Sequence, residues 1–434
     1  MAGKVVSLAG GRSGRVVAIG HGHSTAAARD IPVVHSQRGM MVLMLTLPLF
    51  EQVFHYMIDV LPLYALSKAW PILMLPLTMY SLVTHRSRFA WLYMTALIYV
   101  MSVTPILSML WLGNTMIDAL ANSIKVWPLT YYFSLLALLN IIKPEPKLLI
   151  ESLMRLGLGT MIVMWLLWVL VPASVYISDS VASKLFLTDN ERGNRIYFPM
   201  TFAMIAMFYA MMRGLRKPQL WQAAVIALGF ATQLIIFKQR TATATCLLVL
   251  LGMVFFRLSL FWRLVAAMAG AAGAVAGVMA LLAKFDKVAA SLGGSLSVRQ
   301  HSMELLQNYL TQEPMRWVIG VGAASRTGTI TMADIIGSKS FFLADLGWAG
   351  VLFEFGLVGS LILLSLYLAV LRWAWRLPVV LEPHNRAMIG ALTGYVAYLA
   401  ISSTVYPIFY APGELAATTA LLLYFVTITA EKPG

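Results

Sequence analysis

The sequence has little charge and almost no cysteine. Only 12% of its 434 residues are charged and 60% are hydrophobic, against about 25% charged and 45–50% apolar in a soluble domain. Together with a mean hydropathy of +0.79, this composition excludes a soluble globular enzyme. The single cysteine, Cys246, excludes an intramolecular disulfide, and its position inside an apolar run is typical of a small buried residue.

Motifs for nucleotides and catalytic metals are also absent. The sequence has no GxxxxGK(S/T) loop, no GxGxxG after a strand and no HExxH. We therefore expect no nucleotide cofactor and no metal. The formal charge of +14 would suggest a nucleic-acid partner in a soluble protein, but in a membrane protein the basic residues are first sorted by membrane side, so no nucleic acid is expected.

Long apolar runs take up most of the chain. A bilayer-spanning helix needs about 20 mostly apolar residues, and continuous runs favour helices over the alternating segments of a barrel. Twelve such runs follow Gly39: 40–58, 70–84, 89–109, 120–142, 148–172, 196–212, 219–237, 241–256, 264–283, 347–371, 387–405 and 410–429. The sequence thus predicts an all-α, polytopic membrane protein with about 12 transmembrane helices in a single domain, 39–430.

The basic residues predict the orientation of these helices. Residues 1–38 are rich in Gly, Ala, Ser and Arg and lack the apolar core of a signal peptide, so we expect a disordered basic cytoplasmic tail. An even number of spans puts both termini on one side of the membrane, and we place that side in the cytoplasm. With that orientation most Lys and Arg residues fall on the cytoplasmic side, as the positive-inside rule requires.

The basic residues left on the outer side gather in the loop 174–195 and in the long segment 284–345. A loop as long as the second is usually functional. Within it, apolar residues from Val298 to Leu310 recur near helical spacing, with Arg299 and glutamines between them. This pattern predicts an amphipathic helix at the membrane surface.

Ionisable residues inside apolar spans are costly, so they are expected to be paired or functional. Glu151 and Arg155 are four residues apart on one predicted helix and favour an ion pair. Glu51, Glu354 and Glu414 fall toward the outer ends of their spans. Each of these three either makes a hydrogen bond between helices or has a chemical role in a shared cavity.

Four arginines are predicted at outer helix ends. Arg192 and Arg195 lie in NERGNRIYFP, Arg240 lies in the turn FKQRTATA, and Arg299 opens the surface helix. Guanidinium groups stay charged and bind phosphate oxygens in a bidentate manner. Their convergence would bind a pyrophosphate at headgroup depth, and the alternative is that they reach separately to lipid phosphates.

Four sequence elements resemble the O-antigen polymerase and ligase superfamily, in the same order along the chain. They are RGNRIYFPMTFA from Arg192, RTATATCLLVLL from Arg240, Arg299 followed by GVG at 320–322, and DLGWAGVLFEFGLVG at 345–359. Two positions differ from the ligases: Asp345 replaces a His, and Gln239 replaces the Ser of a Ser-Arg pair. The aspartate is more similar to the polymerase branch.

This resemblance implies a metal-independent membrane glycosyltransferase, without a cofactor, at the periplasmic face of the bacterial inner membrane. It would polymerise oligosaccharide repeat units carried on undecaprenyl pyrophosphate into O-antigen or exopolysaccharide. The implied partners are that donor, a lipid-linked glycan acceptor, membrane lipids, a chain-length regulator and a flippase. The rival functions are an O-antigen ligase, which transfers finished glycan to lipid A core, and a transporter or flippase.

The resemblance and the charge pattern together select the candidate site. Pyrophosphate binding is assigned to Arg192, Arg195, Arg240, Arg299 and Lys339. Asp345, Arg299 and Arg240 are the catalytic candidates, and Glu51, Glu354 and Glu414 are secondary candidates. Asp345, Glu51, Glu414 and Lys339 all compete for the role of general base.

Overall fold

The computed structural model describes residues 37–430 except 59, 85–86, 178–184, 190–191, 284–292, 324–331, 338–340, 342, 378–381 and 407–411. The predicted cytoplasmic tail therefore lies outside the described residues, apart from its last two positions. Helix α1 begins at Gln37.

The described chain is mostly helical. Its α-helices are α1 (Gln37–Phe50), α2 (Leu61–Leu73), α3 (Leu75–Thr84), α4 (Ala90–Ile98), α5 (Thr104–Leu112), α6 (Met116–Ser123), α7 (Tyr131–Ile142), α8 (Pro146–Leu170), α9 (Thr201–Gly214), α10 (Leu220–Ala231), α11 (Arg240–Phe255), α12 (Leu260–Ala283), α13 (Gly293–Thr311), α14 (Pro314–Ile319), α15 (Met332–Ile336), α16 (Trp348–Trp375), α17 (Pro383–Ser402) and α18 (Gly413–Ala430). Every predicted apolar span overlaps one or more of these helices.

Six helical stretches of the described chain are long and apolar enough to cross a membrane. They are Leu61–Thr84, Ala90–Leu112, Met116–Ile142, Pro146–Leu170, Leu220–Phe237 and Trp348–Trp375. Shorter apolar helices cover Arg38–Phe50, Arg240–Phe255, Leu260–Gly273 and Gly413–Thr429. These helices indicate a membrane protein, as the composition predicts.

Several predicted spans are not uninterrupted α-helices. The first ends at Phe50 and continues into a 3₁₀ turn at Val53–Tyr56, although the prediction extended it to residue 58. Turns of π-helix occupy Tyr99–Val103 and Thr232–Phe237, and a 3₁₀ segment occupies Ile124–Thr130. Such irregular turns are rare in α-helices and are often found at functional sites.

The all-α prediction missed one small sheet. Strands β1 (Phe186–Asp189) and β2 (Gly193–Ile196) form an antiparallel hairpin between α8 and α9. The prediction began a span at residue 196, but Ile196 is the last residue of strand β2. Helix α9 begins at Thr201. The pair contains just four residues in each strand, too few to give a strong alternating pattern.

Helix α9 lies at the centre of the core. All residues from Thr201 to Ala210 are buried. Close packing against α8 requires Gly157, because a Cβ there would lie 2.5 Å from the carbonyl oxygen of Phe202. Small residues allow such backbone approach between membrane helices.

A second, smaller core lies under the long segment between α12 and α16. Leu306 and Leu310 of α13 pack there with Leu112, Val321 and Phe353. Gln300 and Gln307 are exposed, so the predicted amphipathic helix and its apolar face are confirmed.

Helix α13 contacts the end of α17 through Arg299 and Tyr406, and α17 contacts the start of α9, which follows the β-hairpin, through Tyr395 and Thr201. We call the end of the helices that carries α13, the β-hairpin and the segment Ser403–Tyr406 the hairpin end.

Two local predictions are confirmed directly. Arg155 Nη2 donates to Glu151 Oε1 at 2.5 Å, as the four-residue spacing predicts. Cys246 is buried in the core.

Candidate functional site

The short segment Ser403–Tyr406 follows α17 at the hairpin end and is the meeting point of two predicted site elements. The first is Arg299 on α13. Its Nη2 donates to Tyr406 Oη at 3.3 Å, and its guanidinium carbon lies 5.6 Å from the centroid of the Tyr406 ring. Arg299 is partly buried, so this contact fixes a charged group at the edge of the core.

The second element is the turn that contains Asp345. A 3₁₀ turn, Leu343–Asp345, leads to Gly347, which has a φ of 54° and precedes α16. A Cβ on Gly347 would lie 2.1 Å from the carbonyl oxygen of Thr404. The backbone that follows Asp345 is therefore in close contact with the segment Ser403–Tyr406, which Arg299 also contacts.

The GVG motif at 320–322 contacts the backbone of the FEFG motif, which is residues 353–356 of the run DLGWAGVLFEFGLVG. Val321 N donates to Phe353 O at 2.9 Å, and Gly322 N donates to Glu354 O at 3.0 Å. Helix α16 is kinked at Gly356, whose φ is 63°. This pairing connects the segment after α14 to the kink in α16.

Tyr99 supports that contact and was not singled out from the sequence. Its hydroxyl donates to the carbonyl oxygens of Ile319 (3.0 Å) and Phe355 (2.9 Å), which lie on the two sides of the pairing. Tyr99 begins the π-helical turn in the α4–α5 stretch. A tyrosine in an apolar run gives no sequence signal for this role, because its partners are distant backbone groups.

Glu354, a secondary candidate, forms an ion pair with Lys125. The distance from Lys125 Nζ to Glu354 Oε1 is 2.5 Å, and the Glu354 side chain is almost completely buried. Lys125 lies in the 3₁₀ segment between α6 and α7. This pair joins that segment to the kinked helix, so Glu354 has a clear structural function at its position.

Glu51 and Glu414 lie together in a buried polar cluster. A Cβ on Gly413 would lie 3.0 Å from Gln52 Oε1, so the chain neighbours of Glu414 and Glu51 are in contact. Tyr395 Oη donates to Glu414 Oε2 at 2.7 Å and lies 2.9 Å from the Thr201 hydroxyl. Glu51 is fully buried, and within the described residues no hydrogen-bond donor reaches its carboxylate oxygens.

Arg192, Arg195 and Arg240 lie around Lys238. Strand β2 holds Arg195 opposite Leu187, and Lys238 Nζ donates to the carbonyl oxygen of Arg192 at 3.0 Å. Lys238, with a φ of 52°, forms the tight turn before α11, and the exposed Arg240 begins that helix. The hairpin and the α11 start thus bring three predicted arginines into one neighbourhood.

Lys238 itself was not predicted as a site residue. Besides its bond to Arg192, its ammonium lies 5.0 Å from the Trp168 ring centroid. The ring of Tyr197, just after β2, stacks on that of Phe237, just before Lys238. A lysine beside an apolar span usually has only an orienting role, so its sequence position gave no sign of these contacts.

The predicted site residues thus form four groups: Arg299 with the Asp345 turn, Glu354 with Lys125, Glu51 with Glu414, and the three arginines near Lys238. Lys339 lies outside the described residues. The guanidinium groups provide donors suited to phosphate oxygens. The carboxyl groups of Asp345, Glu51 and Glu414 provide acceptors for a proton.

The resemblance to the O-antigen polymerase and ligase superfamily rests on the sequence motifs alone. No known protein-family model matches the chain, and no curated protein matches it either.

Proposed function

We propose that this protein is a membrane glycosyltransferase that polymerises undecaprenyl-pyrophosphate-linked repeat units into O-antigen or exopolysaccharide. One observation carries the proposal: Arg299 and the turn of Asp345 converge on the segment Ser403–Tyr406. These two residues belong to different motifs of the resemblance. Their shared contact supports a common site that pairs a phosphate-binding cation with a carboxyl group.

The proposal includes a topology. The twelve apolar stretches would each cross the inner membrane of a bacterium, with both termini in the cytoplasm. The hairpin end would then face the periplasm, where the lipid-linked donor is displayed. The excess of basic residues in the short connections at the other end supports this orientation.

The proposed reaction is a direct displacement. The hydroxyl oxygen of the acceptor sugar bonds to the anomeric carbon of the donor, and the bond from that carbon to the pyrophosphate oxygen breaks. Arginines fixed at the site stabilise the negative charge that develops on the departing pyrophosphate. Arg299 and Arg240 are the proposed catalytic donors, with Arg192 and Arg195 holding the pyrophosphate.

A carboxylate takes the proton that the acceptor hydroxyl loses. We propose Asp345 for this role because its turn adjoins the segment that Arg299 contacts. Glu51 and Glu414 are the rival bases in the neighbouring polar cluster. Glu354 is the weakest of the acidic candidates for the base, because its carboxylate already forms an ion pair with Lys125.

The test is a glycan analysis of cells that lack the protein. The deletion should leave single repeat units on the carrier lipid, and the wild-type gene should restore a ladder. Accumulation of long polymer on the carrier would instead indicate a ligase. Unchanged glycans would refute both activities and favour a transporter.

Arg299→Ala and Arg316→Ala provide a matched pair for the site itself. Arg316 also lies over an aromatic ring, 4.4 Å from the Tyr309 centroid, and belongs to the same long segment. At equal membrane levels, Arg299→Ala should abolish the ladder and Arg316→Ala should retain it. A full ladder with Arg299→Ala would overturn the assignment of that residue.

A further inference from the structure

We propose that a cluster of arginines at the end opposite the hairpin end binds the phosphate headgroup of an anionic phospholipid. The arginine cluster consists of Arg213, Arg216, Arg257 and Arg386. This inference does not depend on the glycosyltransferase proposal, since it concerns other residues at the other end of the helices.

Three connections contribute to the cluster: α9–α10, α11–α12 and α16–α17. Their sequences are RGLRKPQ at 213–219, FRLSLFWR at 256–263 and RLPVVLEPHNR at 376–386. They contain seven basic residues and one acidic residue, Glu382. The three connections therefore carry a large excess of positive charge.

Helix packing brings the ends of α9 and α11 to the first turns of α17. A Cβ on Gly390 would lie 2.3 Å from Met212 Cε, so the last turn of α9 contacts the start of α17. A Cβ on Gly394 would lie 2.0 Å from Met253 Cε, so the last turn of α11 contacts the same helix. Tyr209 Oη and His384 Nδ1 are 3.1 Å apart and join α9 to the first turn of α17.

The charges in the cluster repel one another. Burial, together with the positive charges of Arg386 and Arg213, lowers the pKa of Arg216. Burial and the charge of Arg216 likewise lower the pKa of Arg257. The positive-inside rule requires basic residues only on one side of the membrane. Their convergence from three connections has an unfavourable electrostatic energy that a bound anion would offset.

Exposed aromatic residues beside the cluster favour a lipid over a soluble anion. Phe256 and Trp375 are 51% and 70% exposed, and their ring centroids are 4.8 Å apart. Phe256 adjoins Arg257 in the chain. Apolar rings next to guanidinium groups at a helix end suit a ligand with both acyl chains and phosphate, and basic pockets between membrane helices are known to bind cardiolipin-type headgroups.

The test measures lipid binding to the full-length protein purified in detergent. Cardiolipin, phosphatidylglycerol, phosphatidylcholine and soluble sodium pyrophosphate are titrated, and the rise in the thermal unfolding midpoint gives an apparent affinity. R216Q/R257Q removes two charges from the cluster. K143Q/K147Q removes two charges from the α7–α8 connection and is the matched control.

We expect the anionic lipids, and not phosphatidylcholine, to stabilise the wild-type and control proteins. R216Q/R257Q should bind cardiolipin about tenfold more weakly or worse, because charge-assisted hydrogen bonds are lost. Should this double variant not fold, R257Q alone, at an exposed position, should show a smaller loss in the same direction.

Three results would overturn the proposal. One is an equal loss of lipid affinity in the control and cluster variants, which would show that binding depends only on the overall charge of the protein. Another is equal stabilisation by phosphatidylcholine and cardiolipin. The third is stabilisation by pyrophosphate that matches the lipids, which would assign the cluster to a soluble phosphate.

Discussion

Gly320 and Gly356 are in direct backbone contact: a Cβ on Gly356 would lie 2.3 Å from the backbone nitrogen of Gly320, and one on Gly320 would lie 2.5 Å from that of Gly356. Both residues have positive φ angles, of 85° and 63°. The contact unites the GVG and FEFG motifs, and it explains why a glycine is needed on each side.

Gly356→Ala should destabilise the protein, because alanine clashes with Gly320 and strains the left-handed backbone. Such strain costs about 1–3 kcal/mol. Gly159→Ala is the control, since nothing lies within 4 Å of a Cβ there and a helical glycine-to-alanine change gains about 0.5–1 kcal/mol. Thermal unfolding in detergent measures both, and equal midpoints for the two variants would contradict the contact.

The ion pair between Lys125 and Glu354 gives a second prediction. Removing one residue takes the ion-pair partner away from a largely buried charge, at a cost of about 3–5 kcal/mol. Lys125→Met and Glu354→Leu should each lower stability strongly, whereas the double variant should recover much of the loss. Losses that simply add in the double variant would show that the pair does not couple α16 to the segment Ile124–Thr130.

The sequence predicts where the helices lie better than where they break. Each apolar run overlaps a helix because a local apolar pattern is enough to place a helical segment in the protein core or in lipid. The π-helical turn at Tyr99–Val103 depends on neighbours far along the chain, since Tyr99 bonds to Ile319 and Phe355. No local pattern encodes such a bond.

The candidate site shows the same division. The sequence predicts the three glutamates from their cost inside a membrane, the arginines from their position at outer helix ends, and Asp345 from the motif resemblance. The structure places Arg299 and the Asp345 turn on one segment. The partner of Glu354 was missed because Lys125 lies on another helix, far away in sequence. Pairing between distant side chains depends on tertiary packing that spacing along the chain does not reveal.

Tyr406 provides a test of how Arg299 is held. Tyr406→Phe removes the hydroxyl that accepts from Arg299 Nη2 but keeps the ring under the guanidinium. Stacking of a cation on a ring contributes about 0.5–1 kcal/mol at exposed sites, so Tyr406→Phe should retain most polymer and Tyr406→Ala should lose more. Ladder intensity at equal membrane levels measures this, and identical losses would argue that the ring has no positioning role.

Lys238 should be a positioning residue for the hairpin arginines. Lys238→Met removes the bond to the Arg192 carbonyl and the contact with the Trp168 ring, so the turn before β2 loses its attachment to the α11 start. Arg192 and Arg195 would then be less well ordered, and pyrophosphate binding should weaken more than turnover. In membranes supplied with purified donor, we expect a higher apparent KM for the donor and a nearly unchanged kcat.

Arg240→Ala provides the contrast to Lys238→Met. Arg240 is exposed at the first position of α11, and its proposed contact is with the departing pyrophosphate itself. Its loss should therefore lower kcat as well as donor affinity, because it removes charge stabilisation in the transition state. If Lys238→Met lowered kcat as much as Arg240→Ala does, Lys238 would have to touch the substrate directly, and its assignment as a residue that acts through Arg192 would be wrong.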